Sequence, residues 1–266
     1  MNIAGELAAR NAARSRSVAL WALTNNLPRP LVYVDIGALW GVDNDQVRQL
    51  NAMNRLTIIG FEPDEAECAK LARDNPNNRY LPVGVGDEDG LRTFYITAFG
   101  ACSSFLEPDL SAYNGLPQAE MYRVARSVNL PMRRIDTLVA ERAMPQPDFL
   151  KIDVQGFESA VLRGCGEAIR NIAGIRLETQ FRPLYKGQDT FFRVYEDLRS
   201  HGFILRDLRL TYQVGFEAVE FEAYFSRPPQ TGGMAELLRI WDMLHDIPPG
   251  RAVEVKDGKL NFSTLL

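Results

Sequence analysis

Carboxylates recur at one kind of place in this chain of 266 residues, the end of a short apolar run. Asp35 follows Leu31 to Val34, Glu62 closes Leu56 to Phe61, and Asp87 follows Tyr80 to Val85. Asp153 closes the run from Asp148, and Glu178 lies near the end of Ile175 to Phe181. A carboxylate can accept hydrogen bonds from hydroxyl or ammonium groups, balance a cation, ligate a metal through oxygen, or take up a proton. For each acid singly, capping the next helix is an equally good role. Repeated after run upon run, the acids describe a ligand crevice along one sheet edge.

Gathering them there requires parallel strands. The runs carry β-branched and aromatic residues without polar alternation, as strands covered on both faces must. After the first, Gly37 permits a turn or a close ligand approach, and Asp43 with Gln46 reads as a capping box for a helix from Asn44 to Met53. Asp64 caps a helix from Glu65 to Asn75, in which Cys68 is a small packing residue. Tyr80 to Val85 is the third strand, with Leu91 to Thr97 as its antiparallel partner through Asp89-Gly90. Residues 98–131 hold Gly100, Pro108, Gly115 and Pro117 with weak periodicity, and read as a lid-like insertion. Met132 to Leu138 reads as a short strand. Helical stretches at Phe157 to Arg163, Glu167 to Asn171 and Phe191 to Ser200 alternate with strands at Ile175 to Phe181 and Phe203 to Leu208, and Leu210 to Gly215 with Val219 to Phe225 forms an antiparallel edge. The division is an N-terminal helical extension (1–29, with Leu7, Val18 and Trp21 apolar), an α/β domain (30–226), and a C-terminal helical extension (227–266) beyond Pro228-Pro229, centred on Met234 to Leu244.

The totals exclude some functions. A formal charge of −4 with no long basic run gives no footprint for nucleic acid. Cys68, Cys102 and Cys165 form neither an even disulfide framework nor a CxxC pair, which fits a reducing cytoplasm. No apolar run is long enough to span a membrane, the N-terminus shows no signal-peptide core, and 46% apolar residues suffice for a sizeable core.

A dinucleotide turn would read GxGxxG, but Gly37 and Gly41 are separated by three residues and no third glycine follows. Asp35, Asp43 and Asp45 would repel a diphosphate and suit a ligand with an ammonium and a sulfonium, which describes S-adenosylmethionine. Glu62 would then accept from the ribose hydroxyls and Asp87 from the adenine amino group.

Val34-Asp35-Ile36-Gly37, Gly60-Phe61-Glu62-Pro63, Val85-Gly86-Asp87, Arg134-Ile135-Asp136-Thr137-Leu138 and, above all, Phe149-Leu150-Lys151-Ile152-Asp153-Val154-Gln155-Gly156-Phe157-Glu158, continuing to Val161-Leu162-Arg163-Gly164, resemble the FkbM-type S-adenosylmethionine-dependent methyltransferases over about residues 31 to 208. The resemblance implies a Rossmann-like class I methyltransferase fold, a seven-stranded, mostly parallel sheet with a final antiparallel hairpin and helices on both faces. It also implies O-methylation of a hydroxyl on a sugar, glycan or glycosylated natural product. On the matching motifs, Asp35, Gly37, Gly41, Glu62, Pro63, Gly86 and Asp87 are the expected cofactor contacts, joined by Ser103 and Ser104 of the insertion. The chain departs from the family at Leu39-Trp40, where an Asn is usual, so bulk replaces an amide. Gln155 stands where Glu is often found.

Methyl transfer to a hydroxyl needs the oxygen held in line and its proton removed. Asp153 is the expected catalytic residue, and Lys151 shares its strand face by i, i+2 spacing. Glu158 and Glu178 complete a set of carboxylates for the acceptor. Asp153 and Glu178 are the expected ligands if a divalent cation, Mg2+, takes part, which the resemblance permits. Phe99, Tyr113, Tyr122 and Tyr185 are candidates to stack on a sugar face, with ordinary core packing as the alternative. His201 belongs to a turn, and His245 reads as a surface residue. Two rival functions stay open, a non-catalytic module binding the cofactor or an acceptor, and a nicotinamide oxidoreductase. The expected partners are a small-molecule or glycan acceptor, with homo-oligomerisation undecided.

Overall fold

Leu31–Ile36 (β1) is buried at every residue, which suits only the middle of a sheet. It pairs in parallel with Leu56–Phe61 (β2) on one side and Phe149–Ile152 (β7) on the other. The computed structural model describes residues 15–113, 117–214, 216–228, 232–256 and 259–264. Within them, Arg79–Leu81 (β3), Gly174–Gln180 (β8), Glu217–Ser226 (β10) and Ile204–Val214 (β9) complete a seven-stranded sheet of order β3-β2-β1-β7-β8-β10-β9. β10 runs antiparallel to both its neighbours.

Alternation along the strands sorts the core into two layers. Leu31, Tyr33, Ile58 and Phe149 face a layer built with Leu20 of the helix over 15–25 (α1), Val47 and Leu50 of Asp45–Ala52 (α2), and Trp241 of Gly233–Leu244 (α7). Val32, Val34, Leu150 and Ile152 face the opposite layer. There they meet Leu138 of Ile135–Ala140 (α4), Val161 of Glu158–Gly164 (α5) and Leu198 of Phe191–Ser200 (α6). Glu65–Asp74 (α3) follows β2 and is capped by Asp64, whose side chain accepts from the backbone N–H groups of Ala66 and Glu67. Among the described residues no helix is long and apolar enough to cross a membrane.

Several expected elements are redrawn. α2 is capped by Asn44, not by Asp43, whose carboxylate instead takes a bidentate pair from Arg176 at 2.6 and 2.8 Å. The expected third strand is two pieces: β3 joins β2, whereas Gly84–Val85 (β4) leaves the main sheet to pair with Val124–Arg133 (β6). Gly90–Thr97 (β5) is antiparallel to β6, so its partner is not the third strand. The end of the supposed insertion is therefore a long strand. Its alternation of exposed and half-buried residues is that of a small sheet with one wet face. Arg134 to Leu138 opens α4 rather than continuing a strand.

At the other end, the C-terminal extension is not wholly helical. Arg251–Lys256 (β11) and Lys259–Thr264 (β12) form a hairpin that packs Val253, Val255 and Leu260 on the main core. His245 is buried, its ring 4.1 Å from that of Trp241, so it is no surface residue. Leu7, Gly115, Gly215 and Pro229 lie outside the described residues.

Candidate active site

The turn after β1 is held by two strands at once. The N–H groups of Gly37 and Ala38 both donate to the Phe61 carbonyl at 3.0 Å, and Asp153 N donates to the Ile36 carbonyl at 3.0 Å. Gly37 has φ +79°, and a Cβ there would stand 1.9 Å from the Asp153 carbonyl oxygen. Only glycine lets the ends of β1 and β7 lie side by side. Asp153 is thereby fixed at the carboxyl edge of β7, its side chain 34% exposed.

Beneath it Lys151 is spent on structure. Its ammonium lies 3.2 Å from Asp153 Oδ2, 3.4 Å from Asp35 Oδ1 and 3.2 Å from the Gly37 carbonyl, one acceptor for each N–H. Burial works against its charge, but Asp153 and Asp35 outweigh it and hold the ammonium protonated. Asp35 is 1% exposed and is that ion's partner, and burial raises its own carboxyl against the pull of Lys151. Lys151 and Asp35 thus support the site from below without lining the cavity.

Asp153 Oδ1 accepts from Gln155 Nε2 at 3.2 Å, and the same amide nitrogen donates to Glu178 Oε1 at 2.7 Å. Tyr185 Oη lies 2.9 Å from both Gln155 Oε1 and the Cys102 carbonyl, behind the amide, whose nitrogen side is turned to the acids. Gln155 (φ +55°) and Gly156 (φ +90°) are both left-handed, and this double reversal aims the glutamine back along β7. Sequence reasoning noted Gln155 only as a position where the family often has Glu and gave it no role, although a Gln-Gly pair two residues after a strand-end acid is a signal of such a turn. Burial, with Asp153 and Glu220 close by, pushes the Glu178 carboxyl well above its ordinary range. Glu158 turns away: its Oε1 accepts from the backbone N–H groups of Gly156 (3.1 Å) and Val154 (3.3 Å). Burial lifts that carboxyl to about 8, and it closes the turn instead of facing an acceptor.

Above these groups lies a cavity of about 560 Å³, running from Asp153, Gln155 and Glu178 past Gly37, Leu39 and Trp40 to Glu62 and Pro63. It ends in an apolar slot walled by Phe61, Val85, Phe94, Ile96 and Phe105. Glu62 Oε1 accepts from Asp64 N at 2.9 Å, and among the described residues the carboxylate has no other hydrogen-bond partner, while the Glu62 N–H donates to the Leu81 carbonyl at 3.2 Å. Burial raises the Glu62 carboxyl to about 7. Ser103 lines the cavity, whereas Ser104 is buried and donates to the Val154 carbonyl at 3.2 Å.

Besides Asp35 and Ser104, three further expected cofactor contacts do not line the cavity. Gly41 packs on Leu71 and Tyr80, and Gly86 against Met132 and Phe157. Asp87 is bound to Arg163 Nε and Nη2 at 3.0 and 2.9 Å, because β4 leaves the main sheet and carries the following turn with it. The far end of the cavity therefore offers a flat base apolar walls, not the carboxylate expected of Asp87.

The residues fit S-adenosylmethionine in charge and shape. Asp64, Glu67 and Asp153, with Glu62 as it ionises, face the cavity against a single base, Lys70, so a cationic ligand is favoured even with Glu178 pushed toward its protonated form. Glu62 has a carboxylate oxygen to spare for a diol, and the slot is apolar. They do not fit Mg2+: between Asp153 and Glu178 stands the N–H side of Gln155, itself a positive pole, and Glu158 is committed to backbone. No group of three or more possible ligands was found among the described residues.

Residues 35–205 match the methyltransferase FkbM domain family. In sequence the chain is similar to the 2-O-methyltransferase NoeI of Sinorhizobium fredii (strain NBRC 101917 / NGR234), 29% identical over 170 residues, which take in 60% of this chain and 68% of the relative. In fold it is similar to magnesium protoporphyrin IX methyltransferase (ChlM) from Synechocystis PCC 6803 with bound SAM, at 10% identity and a TM-score of 0.41 over 86% of this chain and 85% of that one. A TehB-like SAM-dependent methyltransferase from Corynebacterium glutamicum ATCC 13032 Kitasato aligns at 13% identity with a TM-score of 0.38, over 85% of this chain and 100% of that one. The seven-stranded order with its antiparallel β10 is the Rossmann-like class I methyltransferase fold. The matched span runs from Asp35 through Glu62, Asp153 and Glu178, and the chain belongs to the FkbM methyltransferase family as an S-adenosylmethionine-dependent methyltransferase.

Proposed function

We propose that this enzyme O-methylates a hydroxyl of a sugar, glycan or glycosylated natural product, with Asp153 as the group that takes the hydroxyl proton. The observation that carries the reading is the posture of Asp153: at the cavity floor, part exposed, with one oxygen held by Lys151 and the other by Gln155. A carboxylate fixed from both sides keeps lone pairs in a defined direction, as a general base must. When bound, S-adenosylmethionine supplies an electrophilic methyl group on a sulfonium. The protein's share is to seat an acceptor hydroxyl against Asp153, accept its proton as the oxygen–methyl bond forms and the sulfur–methyl bond breaks to leave a neutral thioether, and exclude water with the cavity walls. Glu62 and Pro63 would hold the ribose and the apolar slot the base, so that cofactor and acceptor enter from opposite ends of one cavity. Transfer to oxygen is supported by the similarity to a protein named as a 2-O-methyltransferase.

The test is methyl transfer from labelled S-adenosylmethionine to a panel of carbohydrate acceptors. Asp153→Asn is expected to lower turnover at least about a hundredfold, the scale of a lost general base. Cofactor affinity by calorimetry should stay within about twofold, since the exchange is isosteric. Turnover near the parent rate would remove Asp153 from the chemistry.

A further inference from the structure

Trp40 does not behave as core. It is 70% exposed, yet its backbone holds φ +69°, a region that residues other than glycine and asparagine seldom occupy. It sits in a tight turn between Gly37 and Gly41, both at φ +79°, closed by Gly41 N donating to the Ala38 carbonyl at 2.7 Å. An outlier that buries nothing asks for a function. Across the cavity mouth stands Phe99, 41% exposed, its ring centroid 6.0 Å from that of Trp40 with the planes inclined at 49°. Phe99 is fixed in its turn, since its N–H donates to the Met121 carbonyl at 3.1 Å and its own carbonyl accepts from Thr97 Oγ1 at 2.7 Å. The other aromatics suggested for a sugar face are not available. Tyr113 and Tyr185 are 3% and 1% exposed, and Tyr122 is stacked on Tyr113 at 4.0 Å.

The same cavity thus offers two aromatic faces at its mouth, with two carboxyl groups and an amide, Asp153, Glu178 and Gln155, further in. A flat apolar acceptor would satisfy the rings and desolvate the Asp153 and Glu178 carboxyls without supplying hydrogen bonds to their remaining lone pairs. A pyranose satisfies both, presenting a face of C–H bonds to an aromatic ring and hydroxyls around its rim. We infer that Trp40 and Phe99 form the acceptor-ring subsite, Trp40 stacking on the C–H face of a pyranose whose hydroxyls reach the Asp153 end. The inference rests on the proposed sugar O-methylation and assigns to Trp40 the choice of ring. The position that departs from the family pattern is then a determinant of the acceptor rather than a damaged cofactor contact.

Tryptophan emission reads this directly, because the chain has three tryptophans and Trp241 is fully buried, so Trp21→Phe leaves Trp40 as the exposed indole. The full-length protein, saturated with S-adenosylhomocysteine as verified by calorimetry, is titrated with methyl glucoside, mannoside, galactoside and fucoside. Sorbitol and tetramethylammonium chloride serve as the rival probes. A saturable emission change with at least one pyranoside, weakened fivefold or more by Phe99→Ala, supports the subsite. A response to pyranosides no larger than to sorbitol overturns it, as does saturation by tetramethylammonium alone, which would mark an amine site. A second measurement separates this inference from the reading beneath it. If the parent methylates a carbohydrate and Trp40→Asn, which keeps the left-handed turn, retains the parent KM, the subsite fails while the sugar methyltransferase stands. A several-fold rise in KM with little change in kcat is the expected result. If the parent binds S-adenosylhomocysteine and methylates only non-carbohydrate hydroxyls, the functional reading fails and takes the subsite with it.

Discussion

At the scale of single residues the site works by carboxylates whose surroundings differ sharply. Glu62, Asp153 and Glu178 all border one cavity, but Asp153 is gripped by Lys151 and Gln155, Glu178 is pushed toward its protonated form, and Glu62 titrates near neutrality. The last has a measurable consequence. Ribose hydroxyls donate to an ionised carboxylate, so binding favours the deprotonated form of a group whose own value in the empty cavity is about 7. Affinity must then fall as pH drops through that value. S-adenosylhomocysteine should bind about tenfold more weakly at pH 6 than at pH 8, and Glu62→Gln should bind more weakly at both with a flat profile. Calorimetry at the two values checks this, and a parent profile as flat as the variant's would place the ribose elsewhere. That Glu62, Asp153, Glu178 and Gly37 come to one cavity was legible in the sequence, because a strand-end acid or glycine declares itself locally. Asp87 was expected beside them and lies outside the lining, since its position depends on Gly84 pairing with Met132, a partner far along the chain. Gln155 stayed hidden because its role is a matter of which way one amide points.

Secondary-structure elements divide into those that fix the acids and those that cover them. β1, β2, β7 and β8 are buried, and their parallel register puts Asp35 opposite both Gly60 and Lys151. The cover is built otherwise. Between β5 and β6 the described chain forms short 3-10 turns at Gly100–Cys102, Leu110–Tyr113 and Pro117–Tyr122, with isolated bridges from Ser104 to Tyr95 and from Pro108 to Tyr185. Such turns have few hydrogen bonds of good geometry. Backbone amides of this stretch are expected to exchange at least tenfold faster than those of β5 and β6 in the empty protein and to slow when cofactor and acceptor are both bound. Hydrogen exchange by mass spectrometry would show this, and protection in the empty protein equal to that of β6 would mean a rigid wall. Weak periodicity located the cover but set its end too late, at Pro131. The residues from Val124 onward alternate only loosely, and it is their pairing with β5 that makes them a strand.

For the whole molecule, the seven-stranded, mostly parallel sheet was expected from the family resemblance, while the closing hairpin of β11 and β12 was not. Its strands are short, and its value lies in where they dock. Val253 is 3% exposed, Arg251 Nη2 lies 2.8 Å from Asp207 Oδ1, and Val255 N donates to Tyr195 Oη at 3.3 Å, so the hairpin seals the core beside β9 and α6. Ending the chain after residue 250 should remove about 3 kcal/mol or more of apolar burial, lowering Tm by roughly 6 to 12 °C. Calorimetry showing an unchanged Tm would make the hairpin an appendage. The small sheet carries a consequence of another kind. β5 and β6 are zipped to each other from Gly90 opposite Met132 to Thr97 opposite Val124, so the residues between them leave and re-enter the fold through one closed gate. Whatever is threaded through that gate inherits its anchorage, and neither β1 nor β7 takes part in it. The stretch is in effect a cartridge with inner latches: Ser104 donates to the Val154 carbonyl at 3.2 Å and Asp109 N to the Leu184 carbonyl at 3.0 Å, so an exchange that keeps those two ties is expected to leave the strands that carry Glu62 and Asp153 in register.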